Sequence, residues 1–180
     1  MKKFLFVPVV LVLLCGVFTT DASAQAANGF RRFDLNWNAL SYNRQGSVNQ
    51  YGGSLSFGAH LNERWAIVGD VDLHEPSGDS WRITTYRFGP RMTRRMGERV
   101  TTFTHVLVGG AHMNVPSLGS SSPTANGFAM LAGGGLDIGI KPWFGIRALD
   151  GGYSGLHFTG GGWSHGMRLA GGVVFRFGSE

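Results

Sequence analysis

Six histidines are the side chains of this chain that could bind a transition metal, because imidazole nitrogen is a common ligand of zinc and copper. Four of the six are expected near the outer end of the fold: His74, His112, His157 and His165. Two or three of them could converge on one ion. Their spacing matches no ligand motif, however, and histidine in polar loops is common without a metal. We therefore predict no metal site.

A second group of side chains could support hydrolysis. Many hydrolases pair serine with histidine and a carboxylate, because the histidine accepts the proton of the serine hydroxyl. These types cluster late in the chain: Asp150, Ser154, His157, Ser164 and His165. No nucleophile elbow or oxyanion motif accompanies them, and the glycine run 160–162 lacks the Lys-Ser/Thr pair of a phosphate-binding loop. The sequence predicts no catalytic residue and no cofactor; a membrane-embedded lipid-modifying enzyme is an alternative.

The elements that would position these residues alternate in polarity with a period of two. Segment 167–177 carries Arg168 and Arg176 at even positions and apolar or small residues, ending in Phe175 and Phe177, at odd positions. That period is typical of a β-strand with one apolar face. In a secreted protein, such a strand suits the wall of a β-barrel whose outer face meets lipid.

Eight strand-like segments follow one another, each about ten residues long, as in a transmembrane β-barrel. They span 33–42, 50–61, 65–73, 83–91, 100–112, 127–140, 145–153 and 167–177. Both faces of the fifth are largely apolar. In the seventh, alternation places Asp150 on the same face as Ile146, so we expect a register slip near Gly151-Gly152 or a different strand boundary.

The first residues are typical of a secretory signal peptide. Lys2 and Lys3 precede an apolar core at 4–18, and Ala22-Ser23-Ala24 forms a small-residue cleavage site. We therefore divide the chain into a signal peptide, 1–24, and a barrel domain, 25–180, with an uncleaved anchor as the alternative. The single cysteine, Cys15, falls in the signal peptide, so disulfides are not expected. No later stretch has the 18 apolar residues of a membrane helix.

Connections and aromatic residues fit two ends of such a barrel. The longest link, 113–126, follows the fifth segment, and the link 93–99 is somewhat long for a periplasmic turn. Aromatic rings prefer the headgroup region of a bilayer and should form two girdles. The periplasmic girdle would contain Phe33, Trp65, Trp143, Phe144 and Phe177. The outer girdle would contain Tyr42, Tyr51, Trp81, Tyr153 and Trp163.

The charges are more informative by position than by their net value of +5. Five arginines and five aspartates fall on the polar face of the wall: Arg87, Arg91, Arg147, Arg168, Arg176, Asp34, Asp70, Asp72, Asp137 and Asp150. Charges shielded from water must be paired, so we expect Arg–Asp pairs in the lumen, with His60 and His105 packed there too. The positive excess lies at the periplasmic rim, where it could meet anionic lipid headgroups. We predict no nucleic-acid binding.

With these segments and the ending Gly171-Gly172-Val173-Val174-Phe175-Arg176-Phe177, the chain resembles the small outer-membrane β-barrels, the OmpA/OmpX-like barrels often labelled porin-family or opacity-like proteins. Stretches 103–110 and 133–137, and Ile146-Arg147 with Tyr153, are similar to the fifth to seventh strands of that family. The resemblance implies that the barrel-assembly machinery recognises the aromatic Phe177. Three residues follow Phe177, which departs from the family's strictly terminal aromatic.

We therefore predict an all-β fold, a monomeric eight-stranded antiparallel up-and-down barrel in an outer membrane. Eight strands leave a lumen that side chains can fill, which argues against a general porin. The expected role is structural or a surface interaction, with outer-membrane lipids as partners and an extracellular ligand at loops 117–125 and 160–165. The alternative is a secreted, lipocalin-like barrel for a small apolar ligand, in which Phe57, Ile67, Val71 and Leu169 would face inward.

Overall fold

The computed structural model describes residues 31–77, 81–114 and 124–179, which form one closed barrel. Its eight strands pair antiparallel in sequence order, and β1 pairs with β8 to close the wall. The strands are β1 (Arg31–Gln45), β2 (Val48–His60), β3 (Trp65–Pro76), β4 (Arg82–Met96), β5 (Val100–Asn114), β6 (Thr124–Lys141), β7 (Phe144–Phe158) and β8 (Trp163–Ser179). The predicted signal peptide and most of link 113–126 lie outside the described residues. No described helix could cross a membrane.

Strict alternation sets the two faces of the wall, as the sequence predicted. Along β3 every second residue is buried, from Ala66 to Pro76. Asp70 and Asp72 point into the lumen, whereas Ile67 and Val71 are 45% and 44% exposed on the outside. Leu169 is exposed as well. The lipocalin-like alternative, which needs these apolar residues inside, is therefore wrong for this structure.

Several strands extend further than the sequence indicated. β4 continues through Arg94 and Arg95 to Met96, and only residues 97–99 form the turn into β5. Gly97 has a φ of 83° in that turn, a conformation that glycine adopts without a Cβ clash. The long link expected at 93–99 is thus wrong: charged residues at the water-exposed end of a strand resemble a loop in sequence.

Two β-bulges, one in β1 and one in β7, lie beside β8, and a further register shift between Gly139 and Lys141 lies next to the turn from β6 into β7. In β1 the register shifts between Asn38 and Ser41, so Ser41 turns into the lumen with Asn36 and Asn38. In β7 it shifts between Arg147 and Asp150, which brings both of these charges inside. The expected register slip is therefore present in β7, but it lies at residues 148–149 instead of near Gly151-Gly152.

Exposed aromatic residues lie at both ends of the wall. At the end that holds the chain's described termini, Trp65, Trp143 and Phe177 are exposed. At the opposite end, called here the loop end, Tyr51, Tyr153 and Trp163 are exposed. Trp81 differs from the prediction, since it packs on an apolar cluster inside the loop end of the barrel instead of facing lipid.

Close strand packing at Gly133 supports a first prediction. A Cβ at Gly133 would lie 2.2 Å from the Gly151 carbonyl oxygen and 2.6 Å from the Gly152 Cα. We expect Gly133→Ala to destabilise the barrel by about 1–3 kcal/mol, since the backbone must move. The measurement is urea unfolding of the barrel in lipid vesicles. Gly69→Ala is the control, because a Cβ there meets nothing within 4 Å. Equal effects of the two changes would contradict the packing argument.

Candidate functional site

The middle of the lumen contains a cluster of buried charges contributed by four strands. Arg87 of β4 donates from Nη2 to Asp70 Oδ1 at 2.7 Å and also contacts Asp72. Arg168 of β8 lies 3.0 Å from Asp72 Oδ1 and 3.6 Å from Asp150 Oδ2. Every member is at least 95% buried. Charges at this depth are strongly coupled, because little water screens them.

A second cluster lies nearer the termini and is joined to the first through Arg147. The Arg147 guanidinium donates twice to Asp137, at 2.8 and 3.1 Å, and once to Asp150 at 3.4 Å. Its Cζ also lies 4.3 Å from the centre of the Phe103 ring, a cation–π distance. This arrangement gives the least clear predicted strand, β5, a definite inner face.

Asp34 completes the second cluster from β1. Arg91 Nη2 lies 2.5 Å and His60 Nε2 lies 2.8 Å from Asp34 Oδ2. Arg32 Nε approaches the other carboxylate oxygen at 3.6 Å. The predicted Arg–Asp pairing of the lumen and the inward positions of His60 and His105 are thus confirmed.

The pairing is not the one-to-one balance that the sequence count suggested. Among the described residues, Arg176 has no carboxylate within salt-bridge distance, whereas Arg32, placed at the rim by the sequence, does. Arg176 instead lies beside Gly139 and Gly145, whose missing side chains leave room for its guanidinium. The termini end of the lumen therefore carries excess positive charge.

Apolar and uncharged polar side chains fill the rest of the lumen. Val68, Leu107 and Leu131 pack together halfway along it. Ile83, Ala111, Ala129 and Leu156 form a cluster at the loop end, with Trp81, Met113 and Phe158 packed against it. Between β1 and β7, Gln45 Nε2 donates to Ser154 Oγ at 2.9 Å. Buried side chains therefore occupy the middle and the loop end of the described lumen.

The four histidines considered for a metal site lie apart. His74 is buried in the lumen, 2.9 Å from Ser41 Oγ. His112 contacts Asn126 and Asn114 near the loop end. His165 stacks on Trp163 of the outer wall, and the His157 ring meets the same Trp163 at a tilt. Within residues 31–77, 81–114 and 124–179, no three metal-ligating side chains come together.

The serine, histidine and carboxylate group is likewise dispersed across the wall. Ser154 faces inward to Gln45, and Asp150 is held by Arg147 and Arg168. His165 contacts Tyr153 instead of a serine. In the described part of the chain, none of the predicted candidates forms the serine–histidine pair that nucleophilic catalysis needs.

Two adjoining clefts lie at the termini end of the described barrel, with volumes of about 670 and 610 Å³. Arg32, Arg95 and Thr101 line both clefts. Further cations line one or the other: Arg64, Arg94, Arg99, Lys141 and Arg176. Two carboxylates, Glu63 and Glu98, are present as well. The sequence placed most of these cations at one rim, but alternation alone could not show that they surround a cleft.

No protein-family model and no curated protein sequence matches the chain. Solved structures do. Neisserial surface protein A (NspA) superposes with a TM-score of 0.64 at 13% identity, over 81% of this chain and 97% of that one. Ail, the attachment invasion locus protein of Yersinia pestis, gives 0.53 at 18% identity, over 84% and 100%. The N-terminal β-barrel domain of Pseudomonas aeruginosa OprF gives 0.53 at 17% identity, over 83% and 100%.

These likenesses show the fold, which is that of the small outer-membrane β-barrels, as the sequence resemblance implied. A closed barrel with an apolar outer surface satisfies every backbone hydrogen bond within the wall, which is what spanning a bilayer with strands requires. The chain therefore has the fold predicted from its sequence, and its exposed apolar outer face fits a wall that spans a membrane.

Proposed function

We propose that this barrel is a closed anchor and that its loop end faces the cell exterior and binds a partner there. The observation that carries the proposal is the set of buried side chains that obstructs the lumen. Ion pairs occupy its middle and extend toward the termini end, and an apolar cluster occupies its loop end. Such an interior favours a non-conducting wall over a general porin, which leaves the exposed loops as the surface for function.

The names of two structural neighbours support a surface role. One is a surface protein of Neisseria and the other is an attachment invasion locus protein. At this level of identity the likeness establishes only a shared fold, so the role is carried over here as part of the proposal. We propose no enzymatic activity, since none of the candidate catalytic groups is assembled.

The binding surface would be formed by the connections of the loop end. Among the described residues these include Gly46-Ser47 and residues 159–162, which lead into Trp163. Most of the predicted loop 117–125 lies outside the described residues. The outer-membrane lipids remain proposed partners of the wall, and the barrel-assembly machinery remains a proposed partner during insertion.

Cysteine labelling on intact cells tests the proposed orientation. Gly162→Cys places a thiol at an exposed position with nothing within 4 Å of its Cβ. We expect a membrane-impermeant maleimide to label it without lysis. Glu98→Cys, exposed in the turn at the other end, is the control and should react only after lysis. The reverse pattern would show that the loop end faces the periplasm and would overturn the proposal.

Conductance in planar bilayers tests the proposed closure. We expect the purified barrel to give no stepwise channels, because buried Arg–Asp pairs obstruct a narrow eight-stranded lumen. A general porin inserted under the same conditions provides the positive control for insertion. Steady openings of porin size would contradict the closed anchor and make transport the leading function.

A further inference from the structure

We infer that the smaller cleft at the termini end, called here the rim cleft, binds the phosphate headgroup of an anionic glycerophospholipid. Its volume is about 610 Å³, within the range of small-ligand sites. Arg99, Lys141 and Arg176 line it on three sides. This inference concerns the end opposite the proposed binding loops and does not depend on what those loops bind.

The charge of the rim cleft favours an anion. Its cationic lining is Arg32, Arg95, Arg99, Lys141 and Arg176, and Glu98 is the carboxylate among its described lining residues. Arg176 is the most informative member. A Cβ on Gly145 would lie 3.2 Å from its Nη1, and Arg176 forms no salt bridge among the described residues, although Asp137 and Asp34 attract it from farther away. Phosphate oxygens are the natural partners of such guanidinium groups.

Backbone hydrogen bonds hold the rim cleft in shape before any ligand arrives. The Gly139 amide donates to the Arg99 carbonyl at 2.6 Å, which ties the end of β6 to the turn before β5. The Arg176 amide donates to the Trp143 carbonyl at 2.8 Å, which ties β8 to the turn before β7. The backbone segments that carry the three cations are thus tied together, so binding has to order only their side chains.

The rim cleft opens towards the lipid-facing surface, which distinguishes a lipid from a soluble phosphate. Ile140, Trp143 and Phe177 also line it, and each is 53% exposed on the outside of the barrel. Lys141 Nζ lies 5.5 Å from the Trp143 ring centre. An acyl chain can therefore lie along apolar side chains while its headgroup meets the arginines, an arrangement that a free anion would not use.

Native mass spectrometry of the full barrel, released from micelles containing equal phosphatidylglycerol and phosphatidylcholine, tests this site. We expect bound phosphatidylglycerol to predominate. The double variant Arg99→Gln/Lys141→Gln should reduce that preference on the order of 25-fold, from roughly fivefold for each removed charge. Arg44→Gln/Arg82→Gln removes the same charge at the loop end and should leave the preference unchanged. Equal loss in both double variants would overturn the site.

Two further arms keep the result decisive. Only barrels that show heat-modifiable gel migration, and are therefore folded, are compared. The variant Arg176→Gln tests the inner cation separately. We expect it to lower phosphatidylglycerol retention; unchanged retention would overturn the role of Arg176. Glycerol 1-phosphate, which carries the headgroup phosphate without acyl chains, is added as a competitor. Weak competition supports a lipid ligand, whereas displacement at equal concentration would overturn the lipid in favour of a soluble phosphate.

Discussion

Replacement of Arg147 by alanine is expected to destabilise the folded barrel by about 3–5 kcal/mol, the cost of leaving buried charges without their partner. Arg147 is 2% exposed and joins Asp137 to Asp150. Without it, Asp137 loses its ion pair and Asp150 keeps the longer one to Arg168, while the cation over Phe103 is lost. Urea unfolding in lipid vesicles, followed by heat-modifiable gel migration, measures the change.

Two companion variants separate buried charge from general damage. Arg82→Ala removes an arginine whose pair with Glu75 is more than half exposed, and exposed pairs contribute about 0–1 kcal/mol. Asp137→Asn, added to Arg147→Ala, should recover part of the stability because it neutralises one of the stranded carboxylates. A loss that matches that of Arg82→Ala would show that the lumen network contributes little.

Arginine in place of Val106 should cost about 2–4 kcal/mol, the range for a cation on the lipid face near the bilayer midplane. Val106 lies midway along β5 and is 53% exposed on the outer wall. Met96→Arg is the matched control, since Met96 is also exposed but ends β4 beside the turn at 97–99. Near the interface the cost falls to about 0–1 kcal/mol.

The difference between these two arginine variants measures depth in the membrane. The same vesicle titration applies to both, so the comparison does not depend on the absolute stability of the barrel. If Val106→Arg and Met96→Arg had equal effects, the outer face assigned to β5 would be wrong.

Much of this barrel could be predicted because a wall between lipid and a polar interior imposes one apolar face on each strand. β3 shows the reason clearly, with aspartates and branched apolar residues at alternate positions. β5 could not be divided in this way, since its inner face carries Phe103 and Leu107. These residues face inward because Arg147 covers the Phe103 ring and because Leu107 meets Val68 and Leu131, and those contacts come from distant strands.

The bulges and the clefts were harder to foresee for different reasons. Each bulge places an adjacent Ala-Leu pair on the lipid face between inward-facing polar residues, at Ala39-Leu40 and Ala148-Leu149. That short pattern is a usable signal in the sequence. The position of Asp150 indicates the second bulge, whereas simple alternation does not indicate the first. The rim cleft gives no such signal, since residues from two turns and from the ends of β1 and β8 meet there only when the barrel closes.

The two bulges also bear on how faithfully the last strand can be added to the wall. A pairing error of one residue turns every side chain of β8 to the wrong face, but an error of two would keep Arg168 and Arg176 inside. β1 and β7 both shift register opposite the Gly171-Gly172 region of β8. A two-residue slip of β8 would move these shifts away from the paired glycines, so we expect the bulges to oppose errors that polarity alone would accept.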